Sequence, residues 1–222
     1  MNRPAGPRVL IVDDDPSVTK SLARLVTAAG YAVEVFGSAR EFLARPPDDA
    51  PACLVLDVRM PGLSGLDLQE ALALPGHRWS IVFITGYGDV PITVKAMRAG
   101  AVDVLTKPVS RQDLLDAIAR AIARAHQTRR TEARTTEVRN RIKTLTPRET
   151  EVFALVVTGM LNKQIASELG VGEKMVKVHR ARVMEKMRAG SLAELVRLAD
   201  EGGVTTPGAA STEPARLGRS RG

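Results

Sequence analysis

Cysteine is almost missing from this chain of 222 residues. Cys53 is alone, which excludes an internal disulfide, and inside the apolar run Cys53 to Leu56 its ordinary role is that of a small buried strand residue. Long apolar runs are missing as well. No stretch approaches the roughly 20 residues of a membrane span, and the start Met1-Asn2-Arg3-Pro4 has no apolar segment of signal-peptide length, so a cytoplasmic protein without membrane attachment is expected. An excess of either charge is missing from the first 125 residues, which hold 14 basic and 14 acidic side chains, whereas the remainder holds 18 and 11. The whole net charge of +7 therefore lies in the second part, which points to a polyanionic partner for that part alone. What is present is core material. With 44% apolar and 26% charged residues, the chain is neither disordered nor collagenous, and its length suits one large domain or two modest ones.

From Arg8 to about Arg124, short β-rich runs alternate with amphipathic helical stretches. The runs are Val9 to Val12, Tyr31 to Phe36, Cys53 to Leu56, Ile81 to Ile84 and Val102 to Leu105. Repeated βα units of this kind build an α/β domain, a five-stranded doubly wound parallel sheet with helices on both faces. Helix starts are marked by Asp15 before Pro16, and by Ser38 with Glu41 and Ser110 with Asp113 at capping-box spacing; Gly30 and Gly100 mark helix ends.

Residues 126 to 143 are polar apart from Ala133, Val138 and Ile142 and read as a linker, or as a continuation of the fifth helix. Thr146-Pro147-Arg148-Glu149 then opens the first of four short helices, which make a small all-α domain. The later starts fall near Asn162, after Gly172, and at Ser191, with Gly202-Gly203 as the last stop. The divisions are thus 1 to 125, 126 to 143, 144 to 203, and a tail from 204 to 222 whose Gly, Pro, Ser, Thr and Ala content suggests disorder.

Two carboxylate groups carry the chemistry of the first domain. Asp13-Asp14-Asp15 ends strand one and Asp57 ends strand three, and in strand order 2-1-3-4-5 these strands are neighbours where the winding reverses, the place where ligands bind. Asp13, Asp14 and Asp57 would then converge in a crevice, where crowded carboxylates call for a cation. Magnesium, with its preference for oxygen ligands, is the natural one. Asp57 leads into the open turn Met60-Pro61-Gly62-Leu63-Ser64-Gly65 and is the candidate nucleophile toward phosphorus, while Asp13 and Asp14 would hold metal. Thr85 and Lys107, at the ends of strands four and five, offer a hydroxyl and an ammonium to a bound phosphoryl group. Asp15 reads as a helix cap.

In the second domain, a helix from Glu173 to Met187 places Val176, His179, Val183 and Met187 on one side, with the stem of Arg180. Lys174, Lys177, Val178, Ala181, Arg182 and Glu185 spread over the other. It follows the helix Lys163 to Leu169 and a turn at Gly170, a helix-turn-helix arrangement that suits the major groove of duplex DNA.

The motifs Ile11-Val12-Asp13-Asp14-Asp15, Asp57-Val58-Arg59-Met60-Pro61-Gly62, Thr85-Gly86 and Lys107-Pro108 resemble the flavodoxin-like receiver domain of two-component response regulators. This implies that Asp57 is phosphorylated by a sensor histidine kinase, that Asp13, Asp14, Asp57 and the Arg59 main-chain carbonyl organise magnesium, that Thr85 and Lys107 sense the phosphoryl group, and that the Lys107-Pro108 bond is cis. Val104 stands where many receivers have Tyr or Phe. Leu145 to Glu149, Asn162 to Ala166 and Val176-Lys177-Val178-His179 resemble the LuxR-type DNA-binding domain, and the chain as a whole resembles FixJ-type regulators of the NarL/FixJ family. By that resemblance Lys177 and Val178 enter the groove beside Arg182, Lys174, Asn162 and Lys163 face phosphates, and phosphorylation drives homodimerisation. RNA polymerase stands as a candidate further partner. Two alternatives remain at this point: a phosphatase of the haloacid dehalogenase type with Asp13 as nucleophile, and a receiver with an RNA- or protein-binding output. Against the RNA reading, the basic helix has no aromatic residue for stacking unpaired bases.

Overall fold

A computed structural model of the chain describes residues 7–46, 52–73, 79–86 and 90–204. It divides into two compact units, residues 1–130 and 131–222. The first holds strands β1 (Arg8–Val12), β2 (Ala32–Phe36), β3 (Ala52–Asp57), β4 (Ser80–Thr85) and β5 (Asp103–Thr106), all parallel, in the order β2-β1-β3-β4-β5. Helices α1 (Pro16–Ala28), α2 (Ala39–Leu43), α3 (Gly65–Leu72) and α4 (Val90–Arg98), with the start of α5 (Arg111–Lys143), flank this sheet. The expected five-stranded doubly wound fold is what the structure shows.

The middle strand β3 is buried along its whole length, yet its side chains still sort by parity. Val9, Ile11, Cys53, Val55, Val82 and Ile84 pack with Leu22 and Val26 of α1 and Leu114 and Ile118 of α5. Leu10, Val12, Leu54, Leu56, Ile81 and Phe83 pack on the other side with Phe42, Leu68, Leu72 and Ala96. Each fully buried Leu or Ile contributes about 1.5–3 kcal/mol, so two such layers hold the strand ends rigidly. Strands β3 and β4 run further than their apolar stretches suggest. Asp57 pairs with Ile84 and Thr85 with Thr106, so both site residues are the last members of ladders rather than loop residues.

Caps set the helix entries. Asp15 accepts from the Ser17 and Val18 amides, with Pro16 in the first helical position. Ser110 accepts from the Asp113 amide. Ser38 accepts from the Glu41 amide, but the Glu41 carboxylate turns to the Gly37 amide at 2.7 Å, one residue before the partner a capping box requires.

The second unit contains the end of α5 with α6 (Pro147–Val156), α7 (Asn162–Leu169), α8 (Glu173–Met187) and α9 (Leu192–Gly202). Residues 126–143 are helical throughout as part of α5. Val138 is buried in the second core and Ile142 packs against it, one turn apart, so the polar stretch read as a linker carries an apolar seam. That core also takes Val152, Phe153 and Val156 from α6, Ile165 from α7, Val176, Val183 and Met187 from α8, and Leu195 and Leu198 from α9. Gly170 closes α7 with φ 62°, the left-handed conformation a tight exit requires. Of the expected tail, residues 205–222 lie outside the described residues, as does the stretch Tyr87-Gly88-Asp89. Among the described residues no helix is long and apolar enough to cross a membrane.

One ionic contact fixes α8 against α6. The Glu149 side chain is 3% exposed; it accepts from Lys186 Nζ at 2.6 Å and from the Thr146 amide at 2.9 Å, and Lys186 also donates to the Thr144 carbonyl. The hydrogen bond from Lys186, then that from Thr146, hold the Glu149 carboxyl below its ordinary value. A depressed carboxyl stabilises the fold above the unfolded value, about pH 4.3, and that contribution is lost as pH falls through the folded value. Glu149→Gln is therefore expected to cost the second unit about 2–4 kcal/mol at neutral pH and to flatten its acid-side loss of stability, read by amide exchange of α6 and α8 between pH 3 and pH 7.

Candidate functional site

The register that aligns Val12 with Leu56 brings Asp13 and Asp57 to neighbouring ends of β1 and β3. Both are buried, with side chains 3% and 6% exposed. Two carboxylates so placed repel unless a cation lies between them. Lys107, just past β5, supplies it: Nζ is 2.7 Å from Asp57 Oδ1 and 3.0 Å from Asp13 Oδ2. The remaining oxygens are satisfied by the main chain, since Asp13 Oδ1 accepts from the Asp15 amide and Asp57 Oδ2 from the Arg59 amide, each at 2.9 Å. The Lys107–Pro108 peptide is cis. The Lys107 amide donates to the Thr85 carbonyl at 2.7 Å, tying the ends of β4 and β5, and Thr85 itself is 1% exposed.

These surroundings act on the charges in opposite directions. Burial pushes the Asp57 carboxyl above its ordinary value, with the charge of Asp13 adding to the effect; the Lys107 hydrogen bond and charge and the Arg59 amide offset only part of it. Burial disfavours the Lys107 ammonium, but its hydrogen bonds and attraction to Asp57 and Asp13 outweigh that and hold it above its ordinary value.

Asp14 departs from the expected three-carboxylate cluster. It is exposed, and with Val58, Arg59 and Met60, the residues that follow Asp57, it lines an adjoining cleft of about 500 Å³. Among the described residues no group of three or more His, Cys, Asp or Glu side chains is placed to hold a metal. Asp13 and Asp57 nevertheless form an oxygen donor pair already arranged about a positive charge. Magnesium bound through one or two carboxylates, a main-chain carbonyl and water suits such a pair. Asp15 is occupied as the cap of α1, where the Ser17 hydroxyl and amide lower its carboxyl.

Two features were not visible as functional residues. Gly65 is buried, and a Cβ there would stand 2.2 Å from the Asp57 carbonyl oxygen and 3.1 Å from the Phe83 ring. Only glycine lets α3 begin this close to the strand that ends in Asp57; its place after Ser64, which forms a full capping box with Asp67, was the available signal. Lys186 holds α8 through Glu149, and nothing local in sequence reveals that pair.

In the second unit, α8 sorts as its periodicity predicts. Val176, Val183 and Met187 are buried and His179 and Arg180 half-buried, while Lys174, Lys177, Val178 and Arg182 are exposed. Lys177 lies 3.5 Å from Glu173 on the same helix, a solvent-exposed pair of small energetic weight. Asn162 accepts from Arg180 Nη1 at 3.2 Å and Lys163 is exposed.

Comparison with known proteins accounts for both units. The family model described as response regulator receiver domain matches residues 9–119, and that described as bacterial regulatory proteins, luxR family, matches residues 143–199. Nodulation protein W of Bradyrhizobium diazoefficiens is 48% identical over 197 residues, 89% of this chain and 87% of that protein. Transcriptional regulatory protein FixJ of Azorhizobium caulinodans is 44% identical over 197 residues, 88% of this chain and 93% of that one. The solved structure of response regulator StyR aligns with TM-score 0.77 at 45% identity, covering 89% of this chain and all of its own.

Gly65→Ala is expected to lower the stability of the first unit by about 1–3 kcal/mol in urea unfolding, since the added methyl meets backbone. Gly86→Ala, where a Cβ meets nothing within 4 Å, should remain within about 0.5 kcal/mol of the parent.

Proposed function

Because the chain belongs to the response regulators of the NarL/FixJ family, transcription regulators rather than enzymes, with a receiver domain followed by a LuxR-type DNA-binding domain, we propose that Asp57 is the residue that a sensor histidine kinase phosphorylates. The observation that carries this reading is the Lys107 ammonium bridging Asp57 and Asp13. It neutralises two buried carboxylates and leaves Asp57 at a strand end opening on a crevice. In the transfer an Asp57 carboxylate oxygen forms a bond to phosphorus, the bond from phosphorus to the kinase imidazole nitrogen breaks, and the nitrogen keeps the electron pair and takes up a proton.

Magnesium would be held by Asp13, Asp57, the Arg59 main-chain carbonyl and Asp14, the last through its exposed carboxylate at the rim. When bound it neutralises charge on the phosphoryl oxygens. The chain's own residues do the rest. Lys107 exchanges a carboxylate oxygen for a phosphoryl oxygen, and the Thr85 hydroxyl donates to another; both movements alter the surface formed by α4 and β5. That surface carries the apolar stripe Val90, Val94 and Met97, respectively 70%, 44% and 45% exposed, which supports it as the face through which phosphorylated chains pair. Val104 packs partly buried against the core in this region, so the conformational change proceeds without an aromatic ring at that position.

The output is duplex DNA. Lys177 and Val178 read base edges with Arg182 beside them, and Lys174 meets phosphate, as the exposed face of α8 supports. Pairing of two chains places two such helices on related half-sites about 34 Å apart, and affinity rises because the second contact becomes intramolecular. The family match sets aside the phosphatase with Asp13 as nucleophile and the RNA-binding output.

Treatment with acetyl phosphate and magnesium is expected to raise operator affinity of the parent at least about tenfold at fixed salt, and to leave Asp57→Asn unchanged. A full response in the variant would overturn the assignment. Lys177→Ala should cost about 1–3 kcal/mol and relax base preference, whereas Lys174→Ala should weaken all sequences alike and lower the salt slope by about one, both measured by fluorescence anisotropy.

A further inference from the structure

Helix α4 is held very differently at its two ends. Its single buried residue is Ala96, near the C-terminus. Val90 and Pro91 of the first turn are exposed, and Ile92 borders the cleft of about 500 Å³ that Asp14 and Arg59 also line. At the far end the last turn is closed by main-chain bonds, the Ala101 amide donating to the Ala96 carbonyl at 3.1 Å and the Gly100 amide to the Met97 carbonyl at 3.0 Å, and a side chain from another helix adds to them. Gln69 of α3 is buried, 5% exposed, and its Nε2 donates to both the Ala96 and the Ala99 carbonyls at 3.2 Å. A buried carboxamide with both amide protons placed in this way is costly to leave unmatched, so the bonds tie the last turn of α4 to α3. Gln69 in turn sits one turn into a helix whose first residue, Gly65, is pressed against the Asp57 carbonyl. Rigid α3 therefore links the strand end that carries the acceptor to the last turn of α4.

We propose that Gln69 is the positioning residue about which α4 pivots: it clamps the C-terminal turn to α3, while the N-terminal turn, bordering open space, swings when Asp57 is phosphorylated. This rests on the reading of Asp57 as the acceptor. Ala96 is buried in the core, whereas Ile92 packs against that core only partly buried and borders the cleft, so movement concentrates at the less buried end. The exposed stripe Val90, Val94 and Met97 then changes its angle to β5 without the helix losing its attachment.

The test uses the full chain with beryllofluoride and magnesium as phosphoryl mimic, read by amide hydrogen exchange. In the parent, exchange at residues 92–94 is expected to change at least about tenfold, while the amides of Ala99, Gly100 and Ala101, which close the last turn, change less than about twofold. Equal changes at both ends would overturn the pivot. Gln69→Leu, which keeps the bulk and loses both donors, is expected to speed exchange at Ala99 to Ala101 about tenfold without the mimic. It should reduce the gain in operator affinity on phosphorylation at least about fivefold, while uptake of phosphate from acetyl phosphate stays within about twofold of the parent. A variant with parental protection in the last turn and a full affinity gain would refute the role. Failure of the parent to take up phosphate would instead refute the Asp57 assignment, so the two results are distinguishable. If Gln69→Leu does not fold, the exchange pattern of the parent still decides.

Discussion

Two buried carboxylates at adjoining strand ends cannot both stay ionised without a cation, and the first unit is arranged around meeting that requirement. The parallel register of β1 and β3 forces Asp13 and Asp57 together, and β5 delivers Lys107 between them. The sheet provides the rigidity: a carboxylate on a flexible loop would relax away from its neighbour, whereas these are the ends of strands buried on both faces. An ammonium on a flexible stem is a replaceable counter-ion. It stabilises the resting pair, and in the proposed phosphotransfer it would move to a phosphoryl oxygen, which would make the site a switch rather than a structural ion pair.

The second unit uses an ion pair for the opposite purpose. Glu149 and Lys186 join the capping box of α6 to the C-terminal half of α8, with the carboxylate further tied to a main-chain amide. Nothing in this contact is exchangeable, because the partners belong to packed helices and the carboxylate is out of reach of solvent. Its effect is to hold α8 at a defined angle so that the basic face stays presented. On that proposal one molecule contains a pair built to be broken and a pair built to hold.

Much of this was legible in sequence because the informative signals are local. Alternation of short apolar runs with amphipathic stretches revealed the sheet, and a carboxylate, hydroxyl or lysine at the end of four of the five runs marked the crevice. Asp15, Thr146 and Ser191 could be read as caps because a cap bonds two or three residues ahead. What escaped depends on distant partners. Asp14 was grouped with Asp13 and Asp57, yet it is exposed, two residues past the last paired residue of β1. Residues 126–143 read as a linker or a continuation of the fifth helix, and the helix is what forms; what the three apolar residues of that polar stretch do not disclose is the core that α6 to α9 supply to Val138 and Ile142. Gln69 carries no local signal, since its partners lie 27 and 30 residues further along the chain.

The proposed phosphorylation is a bond to one oxygen of one residue. Reduction of acetyl phosphate-treated protein with borohydride converts an acyl phosphate to the corresponding alcohol, and peptide mass spectrometry then locates it. The account predicts the mark on Asp57, dependent on magnesium and lost in Lys107→Ala more than in Asp14→Ala. A mark on Asp13, or none on a folded protein supplied with donor and metal, would contradict it.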